Sequence, residues 1–313
     1  MTDDQVHGSQ YVSFFNTYYD GVCYAPLYIF CGKHLLAAKL RPSNVDPADG
    51  ALAELQRVIG QIRSRWNFVR ILVRGDSAYS REEIIKWCES QVGVDYVFGL
   101  SQNSRLMKMT LNTQHQARDY YEHNKQTVLS FLEKLFHPEE DLNKETENLL
   151  KPSVLYRSLN YQTLESCRRF RRVVSKVEYS PQCVNVRVVT SLATDKVPPG
   201  ELYTQNYCPR GEMENRFKEQ QLELFSARTS THTFEGNQLR LWFSSVAYVL
   251  MNALRSQCLA NTELRHAQVG TIRTKLLKLG ARVLISVRPL LILSAVVIRI
   301  KIYLLLLPGI YRL

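Results

Sequence analysis

Strand-like and helix-like segments alternate through the first hundred residues, and this alternation limits the fold more than any other feature. Two short apolar runs, residues 23–30 and 34–40, flank a glycine-containing turn, which is typical of a β-hairpin. Apolar residues recur at helical spacing over residues 48–65, and buried-strand patterns follow at 67–73 and 95–100. This order predicts an α/β layer.

Capping residues predict a helix between the last two of these strands. Ser80 can accept a hydrogen bond as the N-cap, and Glu83 stands three residues later, in the capping-box position. We therefore expect the helix to begin at Ser80 and to run to about residue 90.

Residues 101–200 have a different pattern, which favours a helix-plus-strand insertion domain. A polar helical segment at 113–135 precedes strand patterns at 168–179 and 184–190. The arginine-rich sequence RRFRRVVSKVEY has two interpretations, a strand that faces DNA or a solvated edge strand guarded by charge.

Helical patterns return after residue 200. Residues 210–224 form a polar, charged segment, and residues 271–279 a short basic one. Between them, residues 237–259 are apolar, so we expect a buried helix there. Residues 201–282 are thus expected to be a C-terminal helical part of the core, whose first part is residues 1–100.

The tail, residues 283–313, differs from everything before it because it contains no acidic residue. Arg288, Arg299 and Lys301 cut its apolar runs below the roughly 18–20 residues that a membrane span needs. Three interpretations follow: a buried terminal segment, a marginal membrane anchor, or a tail read out of frame. The abrupt change of composition favours the third.

The charge balance favours a polyanionic partner. Lys and Arg number 40 against 29 Asp and Glu, which gives a net charge of +11, and a basic protein gains affinity for DNA through counterion release. A merely soluble basic protein is the alternative. The seven cysteines are scattered without a CxxC pair, and no signal sequence is visible, so we expect reduced thiols in a cytoplasmic protein.

Two acids stand out by their placement. Asp76 directly follows a predicted buried strand, where ligands bind in open α/β sheets, although a turn or capping aspartate is the simpler interpretation. Glu214 follows Tyr207 and Arg210 at spacings that place all three on one face of a single α-helix. A solvated helix face is the alternative there.

The combination of these motifs resembles a known family. The sequence RGDSAYSREEIIKWCE is similar to the second-acid motif of DDE transposases, and residues 207–214 match the spacing Y-x2-R-x3-E of the IS4-like superfamily. The segments LYIFCGKHLLAAKLRPSN, YVFGLSQNSRL and MENRFKEQQLELFSARTS, in this order, resemble the IS1380 family of insertion-sequence transposases. The resemblance covers residues 2–287.

This resemblance implies an RNase H-like core with a mainly β insertion domain. It also implies Mg²⁺ (or Mn²⁺) ions bound by a D-D-E triad that cleaves and transfers DNA strands. Asp76 and Glu214 would be catalytic metal ligands. Tyr207, Arg210 and Lys218, with Arg74 beside Asp76, would contact the DNA ends. A homo-oligomer is a further expectation.

Three departures from the family pattern bear on activity. The pattern's lysine falls on Gln221, so Lys218 would have to replace it. The first acid, with the core strand that carries it, falls before Thr2; Asp3 or Asp4 could substitute, but we expect no strand to anchor them. The third departure is the tail.

These departures predict impaired catalysis, because a metal pair that loses one ligand loses charge compensation. A catalytically dead DNA-binding remnant and, from the tail, a membrane-associated protein are the alternatives. The absence of the first strand also predicts poor solubility.

Overall fold

The computed structural model of the chain describes residues 4–6, 8–134, 146, 149–162, 169–180, 183–278, 281–285 and 290–294. The chain divides into two compact units. We call Pro47–Gly211 the continuous unit, and the combination of Met1–Asp46 with Glu212–Leu313 the split unit.

The two units are made of the following strands and helices. The strands are β1 (Asp4–Gln5), β2 (Phe14–Asn16), β3 (Gly21–Tyr24), β4 (Leu27–Cys31), β5 (His34–Lys39), β6 (Ile71–Gly75), β7 (Val94–Leu100), β8 (Ser153–Tyr161), β9 (Arg171–Tyr179), β10 (Cys183–Thr190), β11 (Ala281–Ile285) and β12 (Leu290–Ser294). The α-helices are α1 (Ala51–Arg65), α2 (Glu82–Ser90), α3 (Ser104–Leu132), α4 (Pro199–Glu201), α5 (Glu212–Lys218), α6 (Phe234–Ala253) and α7 (Val269–Ile272). Short 3₁₀ turns lie at Ser77–Tyr79, Cys208–Gly211 and Glu263–His266, and π-helical turns at Leu202–Tyr207, Glu219–Glu223, Leu254–Cys258 and Arg273–Leu277.

The continuous unit is built on a mixed five-stranded sheet in the order β6-β7-β10-β9-β8. The β6–β7 pair is parallel and is connected through α2, because parallel neighbours need a crossover. The remaining pairs are antiparallel. The α/β prediction is confirmed, and the strands of the middle region extend this sheet.

The start of α2 differs from its prediction. Arg81 occupies the N-cap position without a side-chain hydrogen bond, so the capping box of Ser80 and Glu83 is wrong. Asp76 caps the preceding 3₁₀ turn instead, through a hydrogen bond from the backbone N–H of Ala78. The Asp76 carboxylate thus satisfies a backbone donor of the 3₁₀ turn, whereas the predicted capping residue, Ser80, lies four positions later.

Strand β9 contradicts the edge-strand interpretation of its arginine-rich sequence, and contact with DNA stays a prediction. It lies between β10 and β8, and Val173 and Val174 are fully buried. Arg171 is also buried and forms ion pairs with Glu82 and Glu89 of α2. The strand is therefore an internal one whose first arginine binds protein carboxylates.

The core of the continuous unit joins the sheet to the segment that follows α4. Val97, Val174, Val188 and Leu202 form one buried cluster. Tyr203 and Tyr207 pack against this cluster while partly exposed. Because each fully buried apolar side chain contributes about 1.5–3 kcal/mol, this packing fixes the position of the π-helical turn on the sheet.

The split unit contains the three-stranded antiparallel sheet β1-β3-β2 and the separate hairpin β4–β5. The predicted hairpin is confirmed, and its turn contains Gly32 at a positive φ of 56°. Helix α6 packs on β5. The core beneath it is largely aromatic, with Tyr24, Tyr28 and Leu241 buried.

Helix α6 confirms the predicted helix but corrects its expected burial. Leu241 and Tyr248 are buried, whereas Phe243 and Leu250 are 66% and 63% exposed. Apolar residues occur on both sides of the helix, yet only one side packs against the split-unit core.

Strands β11 and β12 pair antiparallel at the start of the tail. Residues 286–289 and 295–313 lie outside the described residues, so the three interpretations of the tail stay predictions. In the part of the chain that the structure describes, no helix has the length and apolar character needed to cross a membrane.

Candidate functional site

Asp76 lies where the parallel strands β6 and β7 end. It follows Gly75, which pairs with Phe98 of β7, and its side chain is partly buried. The Oδ1 atom accepts a hydrogen bond from the N–H of Ala78 at 2.9 Å. The simpler interpretation, a capping aspartate, is therefore confirmed for one oxygen, and the same contact fixes the carboxylate at the sheet edge.

Gly99 allows the backbone after Asp76 and the side chain of Tyr207 to approach the end of β7. A Cβ atom at this position would lie 2.9 Å from the backbone N of Ser77 and 2.8 Å from the Tyr207 hydroxyl oxygen. Both distances are shorter than any normal contact. A glycine inside an apolar strand often marks such an approach, and this was the available sequence signal for a residue that we had not named as part of the site.

Tyr207 and Arg210 contact each other in the continuous unit. The Arg210 guanidinium lies 5.6 Å from the centre of the Tyr207 ring, within the range of a cation–π interaction. Burial raises the pKa of Tyr207, the nearby Arg210 opposes this rise, and the charge of Asp76 adds to it. The pKa of the Tyr207 hydroxyl therefore depends on both Arg210 and Asp76.

A second tyrosine extends this aromatic surface. The rings of Tyr203 and Tyr207 are 5.6 Å apart, and Lys176 lies 5.5 Å from the centre of the Tyr203 ring. Burial is the main cause that raises the pKa of Tyr203 to about 12. At neutral pH both hydroxyls are therefore hydrogen-bond donors rather than charged groups.

Arg74 completes the group of sequence-predicted residues around Asp76. Its Nη1 atom donates a 3.1 Å hydrogen bond to the backbone oxygen of Asn206. Within the described residues, neither Arg74 nor Arg210 forms an ion pair with a carboxylate. Both guanidinium groups can therefore bind an external anion.

Glu214 and Lys218 belong to the split unit, in α5, and both side chains are exposed. Tyr207 ends a π-helical turn, Arg210 lies in a 3₁₀ turn, and Glu214 lies in an α-helix. The single regular α-helix expected for these three residues is therefore wrong. That Glu214 acts together with Asp76 stays a prediction.

Asp4 has a different environment from the one expected. It lies in β1, pairs with Tyr24 of β3 and is completely buried, so the expectation that no strand anchors it is wrong. Its Oδ1 accepts a 2.9 Å hydrogen bond from Gln221, the residue at the position of the family's lysine. Burial, and then the charge of Asp4, raise the pKa of Tyr28. Asp3 lies outside the described residues.

The carboxylate of Asp76 fits a magnesium ligand by its chemistry, since Mg²⁺ prefers oxygen and is bound through one or two carboxylates with waters and phosphate oxygens. Among the described residues, no group of three or more His, Cys, Asp or Glu side chains is placed to hold a metal ion. The continuous unit thus offers such an ion one fixed carboxylate beside two arginines.

A comparison with protein families agrees with the motifs. The model of the transposase DDE domain, group 1, matches residues 1–312. No individual curated protein matches the chain. The family match includes the tail and so gives no support to a tail foreign to the family. Because the match covers nearly every residue, the chain belongs to the transposase DDE domain family, group 1.

Proposed function

We propose that the chain is a DNA transposase of the insertion-sequence type, of the IS1380 family, that cleaves and joins phosphodiester bonds at the end of β6. One observation carries the proposal. Asp76, Tyr207, Arg210 and Arg74, all chosen from the sequence, lie around the same end of the parallel strand pair. Family membership gives the reaction class.

The chemistry rests on oxygen ligands and on a divalent cation. Transposases of this family use divalent metal ions, and Asp76 and Glu214 would hold Mg²⁺ or Mn²⁺ here. When bound, such an ion supplies an activated water or 3′-hydroxyl and neutralises charge on the phosphate. The hydrogen bond from Ala78 holds the Asp76 carboxylate in place before any substrate arrives.

The basic residues would position the DNA. Arg74 and Arg210 keep guanidinium donors for phosphate oxygens, and protonated Tyr207 donates from its hydroxyl. Lys218, exposed on α5, is proposed as a further phosphate contact. The net charge of +11 supports long-range attraction of the DNA ends.

The D-D-E triad needs a first acid, and Asp4 is the candidate within the described residues. A fully buried carboxylate that Gln221 already hydrogen-bonds cannot reach a phosphate without leaving its strand. We therefore expect cleavage to be impaired while DNA binding persists. The same burial favours the alternative function, a catalytically dead transposase that occupies DNA ends.

The finer assignments of architecture and location are part of the proposal. The parallel β6–β7 pair with α2, followed by β8–β10, is consistent with an RNase H-like core and a mainly β insertion over residues 101–200. Scattered cysteines and a DNA substrate favour the cytoplasm. The alternative of a membrane-associated protein depends on the tail, which lies largely outside the described residues.

The test is nicking of supercoiled plasmid by the purified chain with Mg²⁺ or Mn²⁺. We expect slow, metal-dependent nicking that the Asp76→Asn substitution abolishes, with little change in affinity for duplex DNA. Asp95→Asn is the matched control, because this carboxylate lies at the opposite end of β7 and pairs with Arg70.

Nicking without a divalent metal ion, or nicking by the Asp76→Asn variant, would disprove the catalytic assignment. DNA binding without any nicking would favour the catalytically dead alternative.

A further inference from the structure

Arg187 is a buried arginine in the middle of the five-stranded sheet. It lies on β10, between Leu100 of β7 and Ser175 of β9, and only 2% of it is exposed. Its side chain reaches α3, because its Nη2 atom donates a 3.2 Å hydrogen bond to Oγ1 of Thr110. The guanidinium is therefore enclosed between the sheet and this helix.

The positive charge of Arg187 has no negative partner among the described residues. The guanidinium forms no ion pair with them, and its Nε atom has no hydrogen-bond acceptor there. Burial lowers the pKa of Arg187, yet an arginine side chain stays protonated at neutral pH. Since an uncompensated buried charge is strongly unfavourable, a negative charge at this position stabilises the folded chain.

Arg171 of β9 shows how the same sheet accommodates another buried arginine. Its guanidinium binds Glu82 and Glu89. Burial acts to lower the pKa of Arg171, but the hydrogen bonds from these two carboxylates raise it above the ordinary value. Arg187 differs from Arg171 in its neighbours rather than in its burial, because the side chains that share its hydrogen bond are a hydroxyl and amides.

Hydrogen-bond donors also outnumber acceptors around Thr110. Three donors point to its Oγ1 atom, namely Gln114 Nε2 at 3.2 Å, Asn185 Nδ2 at 2.9 Å and Arg187 Nη2 at 3.2 Å. A hydroxyl oxygen has two lone pairs, and this hydroxyl donates its own proton to a backbone oxygen of α3. One of the three donors and the Nε atom of Arg187 are therefore left for another acceptor.

A small anion matches this set of donors. An anion accepts hydrogen bonds and compensates the guanidinium at the same time, whereas a water molecule accepts but brings no negative charge. Gln114 and Asn185 are half-buried, so they connect the enclosed guanidinium to solvent. The near-complete burial of Arg187 and Thr110 favours a monatomic anion over a phosphate or carboxylate group, which is larger.

We propose that Arg187, Asn185 and Gln114 bind a chloride ion between β10 and α3. The guanidinium supplies the positive charge and its Nε–H donor. One of the two amide groups turns from Thr110 to the ion, which leaves the hydroxyl with a donor for each lone pair. The bound ion joins the middle of the sheet to α3 and stabilises the continuous unit. The proposal goes beyond the function in DNA cleavage and does not depend on it.

The experiment measures thermal unfolding of the full chain at constant ionic strength, while gluconate is replaced stepwise by chloride. Gluconate is too large for an enclosed site and serves as the reference anion. An ion that binds only the folded state raises the midpoint of unfolding in proportion to the logarithm of its concentration above its dissociation constant. We expect a rise of about 3 °C once chloride reaches about ten times that constant.

Two variants show whether Arg187 is responsible. Arg187→Met removes the charge and keeps a flexible, unbranched side chain, so its midpoint should not respond to chloride. Arg157→Met is the matched control, because Arg157 pairs with Ser175 from the other side, on β8, but is exposed and donates to Gln116. The control should keep the full response to chloride, which excludes a general effect of surface charge.

Equal midpoints of the unaltered chain in chloride and in gluconate would overturn the proposal. A response to chloride that persists in Arg187→Met would also overturn it, because the ion would then bind elsewhere. Crystals of the unaltered chain grown in bromide decide the question even if the variant does not fold. They should show an anomalous scattering peak beside Nε of Arg187, and a map without that peak contradicts the site.

Discussion

The two ends of the β6–β7 strand pair hold arginines in contrasting environments. At the starts of the strands, Arg171 is buried and binds Glu82 and Glu89, with contacts of 2.5 and 2.8 Å. At the ends of the strands, Arg74 and Arg210 contact a backbone oxygen and an aromatic ring, without an ion pair to any described carboxylate.

Other arginines near the strand starts also bind acceptors that the protein supplies. A cavity of about 440 Å³ opens at the starts of the strands, lined by Arg70 and Arg169–Arg172 among others. Arg70 binds Asp95 there, and Arg172 donates to the backbone oxygens of Leu192 and Val197. The abundance of arginines therefore does not identify an anion site; what matters is whether the protein already supplies their acceptors.

The largest expected effect concerns the strand starts around Arg171, called the closed end because the protein itself supplies acceptors for its arginines. The strand ends around Asp76, Arg74 and Arg210 are called the open end. Arg171→Met leaves Glu82 and Glu89 without their partner, and loss of one member of a buried ion pair costs about 3–5 kcal/mol. We expect the free energy of unfolding to fall by about 3 kcal/mol, the lower end of this range, because both glutamates keep partial contact with water. Urea unfolding measures the loss, and Arg74→Gln, at the open end, should change stability by less than about 0.5 kcal/mol. Equal losses in the two variants would remove the distinction between the ends.

The second-largest expected effect concerns Gly99, which allows the close packing at the open end. Gly99→Ala would bring a methyl group against the backbone N of Ser77, which cannot rotate away as a side chain can. We expect a loss of about 2 kcal/mol from overpacking, together with weaker DNA binding. Gly60→Ala is the control: nothing lies within 4 Å of its Cβ position in α1, so it should stabilise the chain by about 0.5–1 kcal/mol. An unchanged Gly99→Ala protein would contradict the close packing at the site.

DNA affinity tests the comparison most directly through Arg70 and Arg74, which lie at opposite ends of β6. Arg74→Gln and Arg210→Gln should each weaken binding to duplex DNA about tenfold, and each should reduce the salt dependence of binding by about one ion. Arg70→Gln is the matched control, an exposed arginine just before β6 that already binds Asp95. Fluorescence anisotropy over a series of salt concentrations gives both quantities. An Arg70 effect as large as that of Arg74 would show that general charge, rather than the open end, attracts DNA.

The smallest effect is a pH dependence confined to the closed end. The hydrogen bond from Arg171 lowers the pKa of Glu82; burial acts in the opposite sense on Glu89, but its bonds to Arg171 still lower its pKa. A lowered carboxyl pKa gives stability that is present above the ordinary value of 4.5 and is lost as the pH falls through the folded-state value. The difference in stability between the unaltered chain and Arg171→Met should therefore narrow below pH 4.5. A difference that is constant between neutral and acidic pH would exclude this linkage.

Sequence patterns could predict the open end because its residues have local signatures. Asp76 follows an apolar strand, and Tyr207 and Arg210 belong to a spaced motif. Gly99 was not predicted as a site residue, because its role is to allow the close approach of Tyr207, more than a hundred positions away.

The edge-strand interpretation of β9 is wrong for a related reason. The local sequence of β9 shows its arginines but cannot show the carboxylates of Glu82 and Glu89, which α2 brings to them. The burial of α6 was also overestimated, because an apolar sequence does not show which faces of a helix pack against the core. Glu214 stays a prediction as a partner of Asp76.

The most direct test of the account is metal-directed cleavage of the polypeptide. Fe²⁺ that replaces Mg²⁺ generates hydroxyl radicals in the presence of ascorbate and peroxide, and these cut the nearest backbone. We predict cuts around Asp76 and Gly99, suppressed by excess Mg²⁺ and absent in Asp76→Asn but retained in Asp95→Asn. Cuts at the closed end around Arg171, or a pattern that Asp76→Asn leaves unchanged, would contradict the assignment of the metal and DNA site to the end of β6.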